Sequence, residues 1–383
     1  MIRRSIGTTL LLAVVAAACT SAPATTATAA PSGPVAITDK TPAELEATLA
    51  KRQQALASKD LTAFQSTVDL TRASFRRCQQ ERFDISARSG ASTAPISVAK
   101  VERYLDDYVR AYTGDDANGY ARSYFRRDGG KWILTEPKDS ELGGDKSKTV
   151  SGMDLSYYGI DEDVIDIYAK AGVATKDFVL AQGVSQTGKS FGLRIFPTRG
   201  AAGPTVGCTT GGFHLPNNPN DHFIRLFANV LSFKAGLTEA SDTTVSIIRH
   251  EALHWLQDQF VPGITARLDF WLSEGWPDYV GGSRGESEKK RVLCTTPTPT
   301  FKQLVDGVLE TPETPPELPG QYYAFANTMI EYLYTTFGKP AYFDLMTAYK
   351  EGVDPKVNYP KVLKVTPEQF YGGWIAWAKK KYC

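Results

Sequence analysis

Residues 242–259 of this 383-residue chain read DTTVSIIRHEALHWLQDQ, a stretch that combines a helical pattern with two closely spaced histidines. Ser241 or Asp242 can cap the start of the helix, and Pro262 follows its predicted end near Gln259. At about 100° per residue, a mostly apolar set of side chains falls on one side and predicts a buried face. These residues are Val245, Ile248, Ala252, Trp255 and Leu256.

The other side of this helix carries His250 and His254, with Glu251 next to the first of them. Residues four apart lie on the same face about one turn from each other, so both imidazoles can bind one ion. Glu251 stands close enough to act on a water molecule bound to that ion. The pattern predicts one zinc ion per chain, with His250 and His254 as ligands and Glu251 as general base. Zinc in a hydrolase normally takes three protein ligands, so a third is expected elsewhere.

Residues 271–279 read WLSEGWPDY and begin 17 residues after His254. Together with the histidine motif, they resemble the gluzincin-type zinc metallopeptidases of the peptidase MA-like group, in which a downstream helix supplies a glutamate ligand. The resemblance implies that Glu274 is the third metal ligand. It also implies that Asp278 accepts a hydrogen bond from a zinc-bound histidine. Pro277 stands where related sequences usually have alanine, which requires the helix to begin near Glu274.

Residues 320–338 resemble a later segment of the aminopeptidase-like branches of these peptidases. In that segment, a tyrosine just before a late helix donates a hydrogen bond to the oxyanion of the reacting substrate. Aligned on Gly338, the resemblance implies that Tyr323 has this catalytic role. Edge strands in these peptidases hold the peptide substrate by main-chain hydrogen bonds, and Phe223–Phe227 is the candidate here. His214 and His222 are interpreted as surface histidines without a ligand role.

The first residues of the chain have the features of an export signal. Residues 1–18 combine Arg3 and Arg4 with an apolar run that ends in small residues, which predicts a signal peptide. The run resembles a bacterial lipobox, which implies lipidation of Cys19 and anchoring on the extracytoplasmic face of the membrane. Cleavage by the general signal peptidase, giving a secreted protein, is the alternative. Residues 19–39 are rich in small and polar residues and predict a flexible tether.

Four cysteines remain beyond Cys19, namely Cys78, Cys208, Cys294 and Cys383. An even number of widely spaced cysteines without a Cys-x-x-Cys pair predicts two disulfides in an oxidising compartment. Three pairings are open, and Cys208–Cys294 is preferred because both residues lie in the half that carries the histidine motif.

The chain as a whole predicts an α+β fold in two domains. Residues 40–148 are expected to form helices followed by a curled sheet, with a faint resemblance to the cone-shaped nuclear transport factor fold. Residues 149–383 are expected to form a mostly helical zincin domain with a small, edge-exposed sheet. Further helices are predicted over 41–58, 161–171 (stopped by Gly172), 327–337 and 367–380.

Composition limits the possible partners of the protein. The chain has 43 Lys and Arg against 42 Asp and Glu, so no net positive field favours nucleic acid. The expected function is cleavage of peptide bonds in a peptide or protein by zinc-bound water, with Glu251 as base. A non-catalytic, zinc-containing envelope lipoprotein and a zinc hydrolase of a non-peptide envelope bond are the alternatives. A monomer is the default expectation.

Overall fold

The structure is a computed structural model that describes most of the chain after the predicted tether. The described residues are 36–89, 94–182, 190–203, 207–208, 211–215, 221–263, 267–307, 317–352 and 354–383. The predicted signal peptide, Cys19 and the tether up to residue 35 lie outside this set. The α+β class is confirmed, since helices and two sheets both contribute to the described fold.

Among the described residues, three helices precede the first sheet, and the predicted helix over 41–58 is confirmed. Strands β1 to β4 are consecutive and antiparallel. The register of β1 against β2 shifts after Val98 and again after Arg103, and such bulges bend and twist a sheet. The elements are α1 (Thr41–Ala57), α2 (Leu61–Gln65), α3 (Ala73–Ser89), β1 (Ser97–Leu105), β2 (Tyr108–Asp115), β3 (Gly119–Asp128) and β4 (Lys131–Thr135).

A two-residue hairpin joins β3 and β4, with Asp128 opposite Lys131. Its central residues, Gly129 and Gly130, have φ angles of 53° and 81°. Two consecutive positive φ angles match the right-handed twist of the flanking strands and are easily adopted only by glycine. The Gly-Gly pair therefore fixes the register of this hairpin.

The second sheet has the strand order β5-β6-β7-β9-β8. Its central strands β6, β7 and β9 are parallel, while β5 and β8 are antiparallel to their neighbours. The prediction that Phe223–Phe227 is the edge strand is wrong, because β8 covers its outer side. The strands of this sheet are β5 (Asp145–Val150), β6 (Met153–Tyr158), β7 (Gly192–Phe196), β8 (Gly212–His214) and β9 (Phe223–Phe227), while β10 (Ser232–Phe233) belongs to the first sheet.

Most of the described chain after β10 is helical. None of the described helices is long and apolar enough to span a membrane. Short 3₁₀ turns cover Asp139–Glu141 and Gly159–Asp161. The helices are α4 (Ile165–Leu180), α5 (Arg199–Ala202), α6 (Asp242–Phe260), α7 (Phe270–Ser273), α8 (Gly275–Val280), α9 (Glu286–Thr295), α10 (Phe301–Asp306), α11 (Glu317–Phe337), α12 (Pro340–Glu351), α13 (Pro355–Leu363) and α14 (Pro367–Tyr382).

Helix α4 differs from its predicted boundaries, since it continues through Gly172 to Leu180. A Cβ atom at Gly172 would lie 2.9 Å from Leu193 Cδ1 and 3.4 Å from Met153 Cε. The glycine therefore allows the helix to lie close against β6 and β7 and does not end it. Close packing against the sheet therefore explains why a glycine, which is unfavourable inside a helix, stands at position 172.

Helix α6 matches its prediction to within one residue at its end. Ser241 is its N-cap, and the side-chain oxygen accepts a hydrogen bond from the Thr244 amide. Ile248, Ala252 and Leu256 are fully buried in the largest core cluster, which lies between the second sheet and the helices. Burial of this face fixes the rotation of α6 and so the direction in which the opposite face points.

The two sheets are joined by contacts across the predicted domain boundary. Strand β10 pairs with β3 and so completes the first sheet with residues from the second half of the chain. Arg122 on β3 forms a buried ion pair with Asp161, which precedes α4. Residues 34–383 group into one compact unit by their contacts. A boundary at residues 148–149 stays a prediction.

Both disulfides expected from the cysteine count are present, but the preferred pairing is wrong. Cys78 is bonded to Cys208, and Cys294 is bonded to Cys383. Helix α3, which carries Cys78, packs against α5, and α9, which carries Cys294, packs against α14. Tertiary packing, which the cysteine positions in the sequence do not reveal, therefore decides the pairing.

Replacing Cys78 and Cys208 together by serine should lower the free energy of unfolding by about 2–5 kcal/mol. The bond joins residues 130 positions apart, and such a link removes many conformations from the unfolded chain. Urea denaturation of the oxidised wild type and the double variant measures the difference. Equal midpoints and slopes would show that this link does not stabilise the fold.

Candidate metal centre and active site

Helix α6 brings the two predicted histidine ligands together. The Nε2 atoms of His250 and His254 lie 3.1 Å apart, and both side chains are about 15% exposed. The four-residue spacing places them on one face, opposite the buried apolar side of the helix. The structure therefore places both imidazoles where the sequence predicts them.

Glu274 joins this pair from the junction of α7 and α8. Its Oε2 atom lies 3.1 Å from His254 Nε2 and 3.4 Å from His250 Nε2. Glu274 directly follows the last residue of α7 and is the N-cap of α8. Pro277 therefore falls in the first turn of α8, where its missing amide costs no intrahelical hydrogen bond. The condition that the proline set for the start of this helix is met.

The three donor atoms have the spacing that one small metal ion requires. Metal–ligand bonds of about 2.0–2.1 Å at a tetrahedral angle separate neighbouring donor atoms by roughly 3.3–3.4 Å. The observed separations of 3.1–3.4 Å are close to that value. Within the described part of the chain, no other group of three His, Cys, Asp or Glu side chains converges in this way. The residues therefore fit a divalent metal ion with nitrogen and oxygen ligands.

Without a metal, these three side chains interact strongly with one another. Burial alone would lower the pKa of His254, but the charge of Glu274 and hydrogen bonds to Glu274 and Gln257 raise it to about 9. Burial would raise the pKa of Glu274, but His254 and His250 hold it well below its usual value. The cluster therefore holds the negatively charged carboxylate of Glu274 within 3.4 Å of the Nε2 atoms of both histidines.

Glu251 lies beside the cluster and under the edge strand β8. Burial raises the pKa of its carboxyl group, although the neighbouring histidines act in the opposite direction. A Cβ atom at Gly212 of β8 would lie 2.9 Å from Glu251 Cγ, so the strand backbone passes directly over this side chain. Glu251 is therefore held between the edge strand and the candidate ligands His250 and His254.

Tyr323 approaches the same cluster from α11. Its side chain is hydrogen-bonded to Glu274, and its ring centre lies 6.0 Å from that of His250. Burial and the charge of Glu274 raise its pKa well above the usual value, which keeps the hydroxyl protonated and able to donate. The predicted helix over 327–337 begins earlier, so Tyr323 lies inside α11 and not before it.

Asp278 lies one turn after Glu274, as predicted, and is buried. Its Oδ2 atom accepts hydrogen bonds of 2.9 Å from Arg284 Nε and Asn327 Nδ2. Burial raises the pKa of Asp278, while Arg284 and His250 oppose this effect. Asp278 thus connects α8 with α11, and its carboxyl group interacts electrostatically with His250. A hydrogen bond from Asp278 to a zinc-bound histidine stays a prediction.

The partner of the second histidine is a residue that the sequence reasoning missed. Gln257 Oε1 lies 2.9 Å from Nδ1 of His254, which is three residues earlier on α6. Gln257 is only 1% exposed. A glutamine three residues after a candidate ligand was the available signal, but residues 257–259 (QDQ) form a polar run near the end of the helix, where a glutamine is ordinary.

The remaining histidines do not join the cluster. His214, at the end of β8, is buried and not on the surface, and its Nε2 atom lies 3.6 Å from Asp258 Oδ2. His222 is partly exposed and lies 3.2 Å from Asp154 Oδ2. That neither is a metal ligand stays a prediction, whereas a surface location is wrong for His214, whose side chain is only 3% exposed.

Comparison with known proteins adds no family assignment. No protein-family model matches the chain, and no curated protein matches it either. The gluzincin resemblance therefore depends on the residues and the geometry described above.

Gly275→Ala should weaken metal binding and lower the free energy of unfolding by about 1–3 kcal/mol, the usual cost of overpacking. Gly275 directly follows Glu274, and a Cβ atom there would lie 2.6 Å from the carbonyl oxygen of Ala326 on α11. The clash would push α8 away from α11 and move the Glu274 carboxylate.

Gly372→Ala on α14 is the matched control, because a Cβ atom there has no neighbour within 4 Å. We expect it to be neutral or slightly stabilising, since alanine favours a helix over glycine. Thermal unfolding and zinc titration of both variants make the comparison. Wild-type zinc affinity in Gly275→Ala would contradict the close packing at this position.

Proposed function

We propose that the protein is a zinc-dependent hydrolase that cleaves peptide bonds, of the gluzincin type. The observation that carries this proposal is the convergence of His250, His254 and Glu274 beside the buried carboxylate of Glu251. Two imidazoles and one carboxylate are the ligand set of several zinc peptidases, with a further position left for water or substrate. Zinc is proposed among the divalent ions that suit these ligands because the gluzincin resemblance implies it.

A zinc ion bound there would polarise a scissile carbonyl group and lower the pKa of a water molecule. Glu251 would take a proton from that water and later deliver it to the leaving amine. Its raised pKa suits both steps, because a base with a pKa nearer to neutrality can also act as an acid. Tyr323 would donate a hydrogen bond from its protonated hydroxyl to the oxygen on which negative charge develops.

The edge strand supports a peptide as the substrate. Strand β8 ends the second sheet and passes over Glu251, with β9 on its other side. An extended peptide can pair with such an edge through main-chain hydrogen bonds, which places a backbone carbonyl group near the metal ligands. This arrangement favours peptide bonds over other bonds of the cell envelope.

We also propose that the protein works outside the cytoplasm, anchored to the bacterial membrane by lipid on Cys19. The two disulfides support an oxidising compartment, since such bonds are rare in the cytosol. A folded body held by a tether would meet proteins and peptides of the envelope. Secretion without a lipid anchor is the alternative for the same fold.

The test is metal analysis of the purified protein combined with cleavage of an unbiased peptide library. We expect about one zinc per chain, cleavage that a chelator abolishes, and recovery of activity when zinc is added back. A wild-type protein that binds no zinc would contradict the metal site. Zinc binding without cleavage of any peptide would favour the non-catalytic or non-peptide alternative.

A further inference from the structure

Gln257 makes hydrogen bonds from both ends of its buried side-chain amide. At one end, Oε1 faces His254 Nδ1 at 2.9 Å. At the other end, Nε2 donates to the backbone oxygens of Leu272 and Ser273 at 3.2 and 2.9 Å, and to the Tyr342 hydroxyl at 2.7 Å. One side chain therefore contacts a metal-ligating histidine and the residues immediately before the Glu274 ligand.

The backbone contacts determine which way the amide points. Carbonyl oxygens can only accept hydrogen bonds, so the end of Gln257 that faces Leu272 and Ser273 must be the NH₂ group. The opposite orientation would place three oxygen atoms against one another in a buried site. The oxygen of the amide therefore faces His254, and it too can only accept.

The orientation of the amide in turn determines the protonation of the imidazole. Because Gln257 Oε1 only accepts, its hydrogen bond with His254 requires a proton on Nδ1. A ring that gives up its other proton to bind a metal then has its lone pair on Nε2, the atom that lies 3.1 Å from both His250 Nε2 and Glu274 Oε2. This is the tautomer that a metal ion at the cluster requires.

The same amide satisfies backbone groups that α7 leaves open. The last carbonyl groups of a helix have no partner within it, and in a buried position they need one from elsewhere. Helix α7 ends at Ser273, and Gln257 supplies donors to Leu272 and Ser273. Tyr342 supports this arrangement from α12, since its hydroxyl lies 3.3 Å from the Leu272 oxygen.

We propose that Gln257 is the positioning residue of the metal centre, which sets the tautomer of His254 and fixes α7, and with it Glu274, against α6. The inference rests on the proposed metal site and adds a role for this chain's own residue. Because one amide holds two of the three ligands, its loss affects their relative position as well as the protonation of one ring.

The variants Gln257→Met and Gln257→Glu separate these contributions. Methionine is close in volume but keeps neither hydrogen-bonding end, so we expect the affinity for zinc to fall roughly 10–100-fold. Glutamate keeps an oxygen acceptor for His254 and loses the amide donors, so we expect an affinity between those of methionine and wild type. Gln79→Met is the matched control, since this buried glutamine on α3 hydrogen-bonds with Arg52 and not with the cluster, and it should change zinc affinity less than threefold.

Two measurements on the full disulfide-bonded chain test the proposal. Zinc affinity is measured by competition with a chelator, and ¹⁵N spectra of the histidine rings are recorded with and without zinc. We expect a protonated, hydrogen-bonded Nδ1 of His254 in the wild type and loss of that hydrogen-bonded signal in Gln257→Met. A role in packing alone would lower the melting temperature but leave the ring spectra of His254 unchanged.

The outcomes distinguish this inference from the proposed function. Wild-type protein that binds no zinc would refute the metal site, while the ring spectra without metal would still decide the role of Gln257. Zinc binding that is equal in wild type and Gln257→Met, or an Nε2–H tautomer of His254 in the wild type, would overturn the inference and leave the metal site standing.

Discussion

Glu251→Gln should bind zinc like the wild-type protein and hydrolyse peptides roughly 10²–10⁴-fold more slowly, the usual contribution of a general acid–base group. The amide has nearly the same shape as the carboxylate, so it fits the space under Gly212 of the edge strand without a new contact. It cannot accept a proton from water, however, and it cannot return one to the leaving amine. The loss should therefore fall on kcat.

The measurement compares kcat and zinc affinity for wild type and Glu251→Gln on a peptide found in the library. Glu351→Gln is the matched control, because its side chain is 65% exposed on α12 and forms an ion pair with Lys361 on the surface. The control should keep wild-type values of both quantities. Activity of Glu251→Gln within a few-fold of wild type would show that another group, or none, takes the proton.

The sequence predicted best those parts of the fold in which neighbouring residues decide the conformation. Helix α6 was predicted to within one residue because its cap and apolar periodicity are local signals. The hairpin between β3 and β4 also depends on a local signal, the Gly129-Gly130 pair. Both elements are recognised within fewer than twenty residues of sequence.

Features that depend on contacts between distant residues were predicted poorly. The pairing of Cys78 with Cys208 depends on tertiary packing, in which α3 lies against α5, and no local pattern in the sequence indicates it. Strand β8 contains only three residues, too few for an alternating pattern to be visible, so the sequence indicates β9 and not β8 as the edge strand of the second sheet. Gly172 was read as the end of a helix because its function, close contact with the sheet, is a tertiary one.

The candidate site shows the same division. The spacing of His250 and His254 is a helical property, and Glu274 was found through a family resemblance. The structure brings both together with Tyr323. Gln257 was not found, because the proposed role depends on which end of its side-chain amide faces His254 and which end faces α7. Such a direction depends on the three-dimensional arrangement of the acceptors around it.

Glu274→Ala should weaken zinc binding far more than Asp278→Ala. Removing Glu274 leaves two imidazoles and takes away the negative charge that lies 3.1–3.4 Å from both of them. Asp278 acts from further away, through Arg284 and Asn327, and loss of such a supporting group typically costs roughly 10–100-fold in affinity or activity. His250→Ala should resemble Glu274→Ala, because each removes one of three ligands.

Competition with a chelator measures these affinities, and circular dichroism confirms that each variant is folded. Glu286→Ala, an exposed glutamate in the first turn of α9, is the control for the loss of a surface carboxylate and should bind zinc like the wild type.

Tyr323→Phe should also bind zinc normally while slowing turnover, because its hydroxyl is needed only as charge develops on the substrate.

The order of the affinities decides between two descriptions of the site. If Glu274 is a ligand, the variants fall into two groups, with Glu274→Ala and His250→Ala far below Asp278→Ala. If Glu274 only balances the charge of the histidines, its pKa in the metal-free protein would still be low, and zinc affinity would fall no more than in Asp278→Ala. Wild-type affinity in Glu274→Ala would place the third ligand elsewhere and would reduce the gluzincin resemblance to the five residues from His250 to His254.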